Sequence, residues 1–193
     1  PPACLRRGRR VIMCCVASGP SLTREDCEAV EKAGITTIAV NNSWQMAPFC
    51  KYLYAGDYKW WREHRKHVTI PAERWTCSKK ATSAFKLNYH RVSGPYNSGM
   101  RAIQFAMSRG AKTVILLGYD GTIKNGLHWH GPHEKLRNPT DEKVVKWQKQ
   151  FMAVSKQAKA KGVKIINCSR DTAIKYFKRR PLGEMIHGLP NNR

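Results

Sequence analysis

The chain has 193 residues, with 35 Lys and Arg against 13 Asp and Glu, a formal net charge of +22. That length suits one domain, and 41% hydrophobic residues, among them 6 Trp, 7 Tyr and 5 Phe, exclude a disordered polycation. No run approaches the roughly 20 apolar residues of a membrane span; the charge points to a polyanionic partner, whether nucleic acid, an anionic membrane surface or a phosphorylated substrate.

The chain opens on a basic segment, PPACLRRGRR, followed by the apolar run VIMCCVA. That run ends in a Gly-Pro turn and is too short for a signal peptide, so 11–17 reads as a strand buried on both faces. Residues 22–33 read as a helix, with Ser21 or Thr23 as its cap and Gly34 as its stop. Strands follow at 35–40 and 52–55, then a basic, aromatic helix at 59–67. Residues 68–95 mix short apolar pieces with Lys, Ser and Thr and show no clear period. A helix at 98–109, a strand at 113–117, a helix at about 140–161 and a strand at 163–166 complete the pattern. The tail from 175 is basic and rich in Pro and Gly, and reads as a surface appendage. The pattern predicts an α/β fold, a Rossmann-like, mostly parallel sheet flanked by helices, in one domain over 1–193 with its core at about 11–170. The seven cysteines are odd in number and lack CxxC spacing. They read as reduced, structural thiols in a reducing, cytoplasmic compartment.

In such sheets ligands bind outside the carboxyl ends of the strands, and here most strands run into polar loops bearing Gly or Asn. Ser18-Gly19-Pro20-Ser21 lies between a strand and a helix start, where free N–H groups attract phosphate; it is equally an N-capped turn. Asn41 and Asn42 can grip a ribose or base edge, or fill a turn. Asp57 suits a ribose, a metal or an acceptor hydroxyl, or caps the next helix. Asn97-Ser98-Gly99 opens a helix, with Ser98 placed to meet a phosphate or to cap. Gly118-Tyr119-Asp120 leads into a loop with His128, His130 and His133. Three His within six residues suggest a general base near neutral pH, a phosphate contact, metal ligands or a structural cluster.

Taken in order, the Gly19 loop, Asn41, Asn97-Ser98-Gly99, Gly118-Tyr119-Asp120 and the His cluster resemble one superfamily. It joins the bacterial sialyltransferases of glycosyltransferase family 42 with the 6-hydroxymethylpterin diphosphokinase-like proteins, including bacteriophage-encoded members. The resemblance implies a modified GT-A fold that binds a nucleotide-linked donor, such as a UDP- or CMP-linked sugar. It implies that Ser18, Gly19, Asn41 and Ser98 hold the donor and that His130 or His133 is the base of an inverting glycosyl transfer. The chain departs from the sialyltransferases in having Thr122 and Lys124 where they carry a leaving-group Tyr, and Pro95-Tyr96-Asn97 where they carry an Arg. Sialic acid is therefore not the expected donor. The diphosphokinase branch would instead use ATP, with Mg²⁺ held by carboxylates such as Asp57 and Asp120.

A nucleotide donor accounts for few of the cations. Arg62, Arg65 and Lys66 lie among Trp60, Trp61 and Trp75, with Lys79 and Lys80 close behind. Aromatics among cations suit nucleic acid, while the simpler alternative is a solvated basic face with Trp in the core. The leading expectation is a glycosyltransferase acting on hydroxymethylated DNA in the host cytoplasm. An ATP-dependent diphosphokinase and a non-enzymatic nucleic-acid-binding protein are the alternatives.

Overall fold

The computed structural model describes residues 11–131 and 140–187. The first apolar run forms β1 (Ile12–Val16). Successive side chains in a strand point to opposite faces. Met13 and Cys15 enter one core cluster, while Cys14 and Val16 enter another. Burial on both faces is why the run shows no polar alternation.

From there the chain runs through α1 (Arg24–Lys32), β2 (Thr36–Val40), a 3-10 turn (Asn41–Gln45), β3 (Tyr52–Tyr54) and α2 (Tyr58–His64). It continues with β4 (Glu73–Thr76), α3 (Lys79–Phe85), β5 (Asn88–Tyr89), α4 (Ser98–Ser108) and β6 (Thr113–Leu117). It ends with α5 (Asp141–Ala160), β7 (Lys164–Asn167), β8 (Lys178–Arg179) and α6 (Leu182–Ile186). The strands form one sheet in the order β5-β4-β3-β2-β1-β6-β7-β8. Every pairing among them is parallel, where the sequence suggested only a mostly parallel sheet. β1 sits near the centre, and the chain lays strands to one side of it before crossing to β6 on the other. The β1–β6 boundary is therefore a topological switch point, where open α/β sheets bind ligands.

α4 and α5 cover one face, packing Met100, Ile103, Phe105, Phe151 and Val154 against the odd-numbered β1 side chains. α1 and α6 cover β1, β6 and β7 on the other face. α2 and α3 cover Ala39 and Leu53 of β2 and β3. The helix ends follow local rules. Thr23 Oγ1 accepts from Asp26 N (3.2 Å), and Asn97 Oδ1 accepts from Met100 N (2.9 Å).

Three strands were hidden in the sequence. β4 and β5 occupy 68–95; they are short, lie toward the edge and carry mostly exposed or half-buried residues. The tail is not an appendage, since β8 extends the sheet and Phe177 and Leu182 are buried in the core. Cys14, Cys15, Cys27, Cys50, Cys77 and Cys168 are free thiols, and burial pushes Cys15, Cys27, Cys50 and Cys168 up to about 12. Cys4 and the cations Arg6 to Arg10 lie outside the described residues.

Trp60 and Trp61 correct the sequence reading. They are 2% and 0% exposed and meet edge to face with centroids 4.9 Å apart. Their indole N–H groups donate to Asn42 Oδ1 (2.9 Å) and to the Ala55 carbonyl (2.8 Å). Neither is open for stacking on a base, because both fill the core beneath α2. Replacing Trp61 with Ala should cost about 3–5 kcal/mol, read as a lowered urea midpoint.

Candidate functional site

The loops after β1, β2, β3 and β6 converge with the start of α4 around a cavity of about 760 Å³. Ser18, Gly19, Asn41, Asp57, Asn97, Ser98, Gly99, Tyr119, Asp120 and His128 all line it.

Its floor is packed too closely for side chains. Gly19 N donates to the Gly118 carbonyl (2.8 Å). A Cβ on Gly19 would stand 2.3 Å from Asp120 Oδ1 and 2.5 Å from the Gly118 oxygen. Gly118 has φ +68, and a Cβ there would meet the Ala17 oxygen at 2.5 Å. Asp120 fastens this crossing. Ser21 N donates to its Oδ2 (2.8 Å) and Ser21 Oγ to its Oδ1 (2.6 Å). Burial raises the Asp120 pKa against the opposing pull of the Ser21 bonds. Both oxygens are thus engaged in holding the β1 and β6 loops together. Asp120, offered by the sequence as a catalytic group or a Mg²⁺ carboxylate, thus lines the cavity with both oxygens already accepting from Ser21.

At the α4 end, Ser98 Oγ accepts from Gly56 N (2.9 Å), and the Tyr119 hydroxyl donates to the Gly99 carbonyl (2.9 Å). Asn97 spends its Oδ1 on the helix cap. The N–H groups of Ser98 and Gly99 have no intrahelical partner, as in any helix start, and both residues line the cavity. Buried Arg101 holds the preceding loop, donating to Ser93 O (2.7 Å), to Gly94 O and to Gln104 Oε1 (2.9 Å).

The two Asn after β2 part company. Asn42 is committed to Trp60, so the expected ribose contact falls to Asn41 alone. Asn41 has φ +51, in the left-handed region, and its buried Oδ1 has no hydrogen-bond partner among the described residues. A strained residue with an unmet polar atom at a cavity wall suits a ligand contact.

The His loop folds back over the Gly19 loop. Trp129 N donates to the Ser18 carbonyl (3.0 Å), and Gly126 lies over the Pro20 ring. His128 Nδ1 is 2.9 Å from Ser18 Oγ, and its ring stacks on His130 at 5.0 Å. His128 lines the cavity and His130 does not. Burial lowers the His130 pKa, and His64 adds to the effect. His133 lies outside the described residues.

The charge at the cavity comes from three helices: Lys59 of α2, Lys80 of α3 and Lys143 of α5. Asp57 faces them. Its surroundings raise its pKa while Lys143 opposes the shift, although the side chain keeps access to solvent. It makes no capping bond to α2, so its carboxylate is not spent on the helix. Among the described residues no group of three or more His, Cys, Asp and Glu could hold a metal by itself. Mg²⁺ takes one or two carboxylates plus substrate phosphates, and Asp57 fits that limited role.

Sequence reading missed Lys143, Trp147 and Phe151 as cavity wall. Their i, i+4, i+8 spacing on α5 is the signal that marks one helical stripe. Tyr58 also lines the cavity, whereas Arg62, Arg65, Lys66 and Lys79 do not.

No protein-family model matches the chain, and no curated protein matches it. Among solved structures, the crystal structure of thiamin pyrophosphokinase from Geobacillus thermodenitrificans is similar, with a TM-score of 0.42 and 14% identity over 80% of this chain. The match covers 58% of that protein, less than two thirds of its length.

Proposed function

We propose that the chain is a nucleotide-dependent transferase that activates an acceptor hydroxyl with His128. The Ser18–His128 pair at the cavity carries this reading: a His with its ring fixed by a neighbouring hydroxyl stands over a cradle suited to phosphate. Phosphates of the donor rest against the Gly19 loop and the α4 start, with Lys59, Lys80 and Lys143 neutralising charge, and Asn41 takes the nucleoside. His128 accepts the proton as the acceptor oxygen attacks.

The donor sets the bond that breaks. With a UDP- or CMP-linked sugar, oxygen attacks the anomeric carbon and the nucleotide phosphate leaves. With ATP, oxygen attacks the β-phosphorus and AMP leaves. Three lysines and an uncommitted Asp57 favour the triphosphate; Asp57 would help hold Mg²⁺, which would offset the phosphate charge. A base held in place without a second carboxylate favours the sugar.

A thermal-shift panel of ATP and UDP-, CMP- and GDP-sugars, with and without Mg²⁺, tests the reading. A specific donor at 100 times its Kd should stabilise the protein by about 2.7 kcal/mol. AMP among the products identifies diphosphoryl transfer, and a glycoside identifies sugar transfer. The proposal fails if no nucleotide stabilises the protein. Asp57→Asn should abolish any Mg²⁺ dependence of donor binding. It should also slightly stabilise the unliganded protein at pH 7, because a raised carboxyl pKa means that ionisation opposes folding above that pKa.

A further inference from the structure

The exposed face of α2 and α3 carries charge that the cavity does not use. Between Asp57 and Arg91 stand nine Lys and Arg against three acids, Asp57, Glu63 and Glu73. Arg62, Lys66 and Lys79 are exposed and lie outside the cavity lining. Beside them is an aromatic pair that the sequence reading passed over. Tyr58 and Phe85 stack with centroids 5.3 Å apart and an interplanar angle of 21°. The Lys80 ammonium lies 4.4 Å from the Tyr58 centroid, and the Arg65 guanidinium 4.3 Å from that of Phe85. Both rings are half-buried, unlike the tryptophans beneath.

We propose that this α2–α3 face docks a single-stranded nucleic acid and presents one of its nucleotides to the cavity. Cations beside half-open rings match phosphates alternating with bases, since a base can take the place of a mobile Lys or Arg head over a ring. The surface is continuous with the site, because Tyr58, Lys59 and Lys80 belong to both. Single strands suit a recessed cavity, which a base stacked inside a duplex cannot enter without being extruded. A membrane surface is disfavoured: the large hydrophobic residues exposed among the described residues are Val11, Val145, Met152 and Tyr176, none of them on this face. The presentation of an acceptor hydroxyl rests on the proposed transferase reading, whereas docking itself does not.

The test is fluorescence anisotropy of the full chain with a labelled thymidine oligonucleotide, titrated across salt concentrations. Each phosphate contact to a single strand contributes about −0.7 to the slope of log K against log salt. Reversing three charges together (R62E, K66E, K79E) should therefore flatten the slope by about 2, with at least a tenfold loss of affinity at low salt. Reversing Lys156, Lys159 and Lys161, at the far end of α5, changes net charge equally and should leave the slope intact. Phe85→Leu, which keeps an apolar side chain, should weaken single-strand binding and reduce the preference over duplex. Equal losses in the two charge-reversal variants, or tighter binding of duplex than of single strand, would overturn the proposal. So would binding to phosphatidylserine vesicles without binding to the oligonucleotide. Donor binding by the R62E/K66E/K79E variant is measured in parallel and should persist. If wild-type protein binds the oligonucleotide and no nucleotide donor, the transferase reading falls and the docking face stands.

Discussion

His128→Gln should lower turnover by about 10²–10⁴-fold while leaving donor-induced thermal stabilisation near its wild-type size. Gln keeps a polar side chain beside Ser18 but cannot accept a proton near neutral pH. In the proposed arrangement donor phosphates, by contrast, lie against Gly19, Ser98 and the lysines, which the change does not touch. Ser18→Ala should give a smaller loss, confined to kcat, because Ser18 orients the ring (2.9 Å) and does not take the proton in this reading. His130→Gln is the control: its ring stacks on His128 but lies off the cavity lining, so its effect should be modest. Steady-state kinetics with the donor found in the binding panel read all three. An equal loss for His128→Gln and His130→Gln would move the base elsewhere in the loop.

Gly19→Ala should be strongly destabilising for a single-methyl change. The new carbon would stand 2.3 Å from Asp120 Oδ1 and 2.5 Å from the Gly118 oxygen, and contacts below 3 Å force atoms to move. Overpacking alone costs about 1–3 kcal/mol. Displacing Asp120 also breaks charge-assisted bonds from Ser21, worth about 1.5–3 kcal/mol each. A loss of roughly 3–6 kcal/mol, taken as a lowered denaturant midpoint at unchanged m, is expected. Gly162→Ala provides the comparison. Gly162 also has a constrained backbone, φ +64, but nothing lies within 4 Å of its added carbon, so only about 1–2 kcal/mol is at stake.

These two residues show what can be read without coordinates. Gly19 and His128 stood out as a glycine at a strand-to-helix turn and a histidine in a polar loop, and the parallel sheet brings both to one cavity. β1, β2, β3, β6 and β7 announced themselves because central strands are apolar on both faces. β4, β5 and β8 did not, because strands of two to four residues at or beside the sheet edges alternate too briefly to show a period. Trp60 and Trp61 misled because aromatics beside Arg look the same in sequence whether they face solvent or core; which side of α2 is buried depends on β2 and β3. Asp120 and Asn42 were read as ligand contacts because their partners, Ser21 and Trp60, are distant in sequence or hidden by the fold. Lys143, Trp147 and Phe151 were missed for the opposite reason. A stripe on a long helix has no single remarkable residue, and only the placement of α5 across the strand ends makes it a wall.

The central position of β1 has a consequence for synthesis. β1 pairs with β2 soon after it is made, but its other edge waits for β6, about a hundred residues later. At the usual 5–20 residues per second, a ribosome needs about 5–20 s to cover that distance. Through that interval the Ile12–Val16 edge has unpaired backbone groups and an apolar face, the combination that invites strand addition by another chain. Slow translation between β2 and β6 should therefore lower the soluble yield more than an equal delay after β7 has emerged.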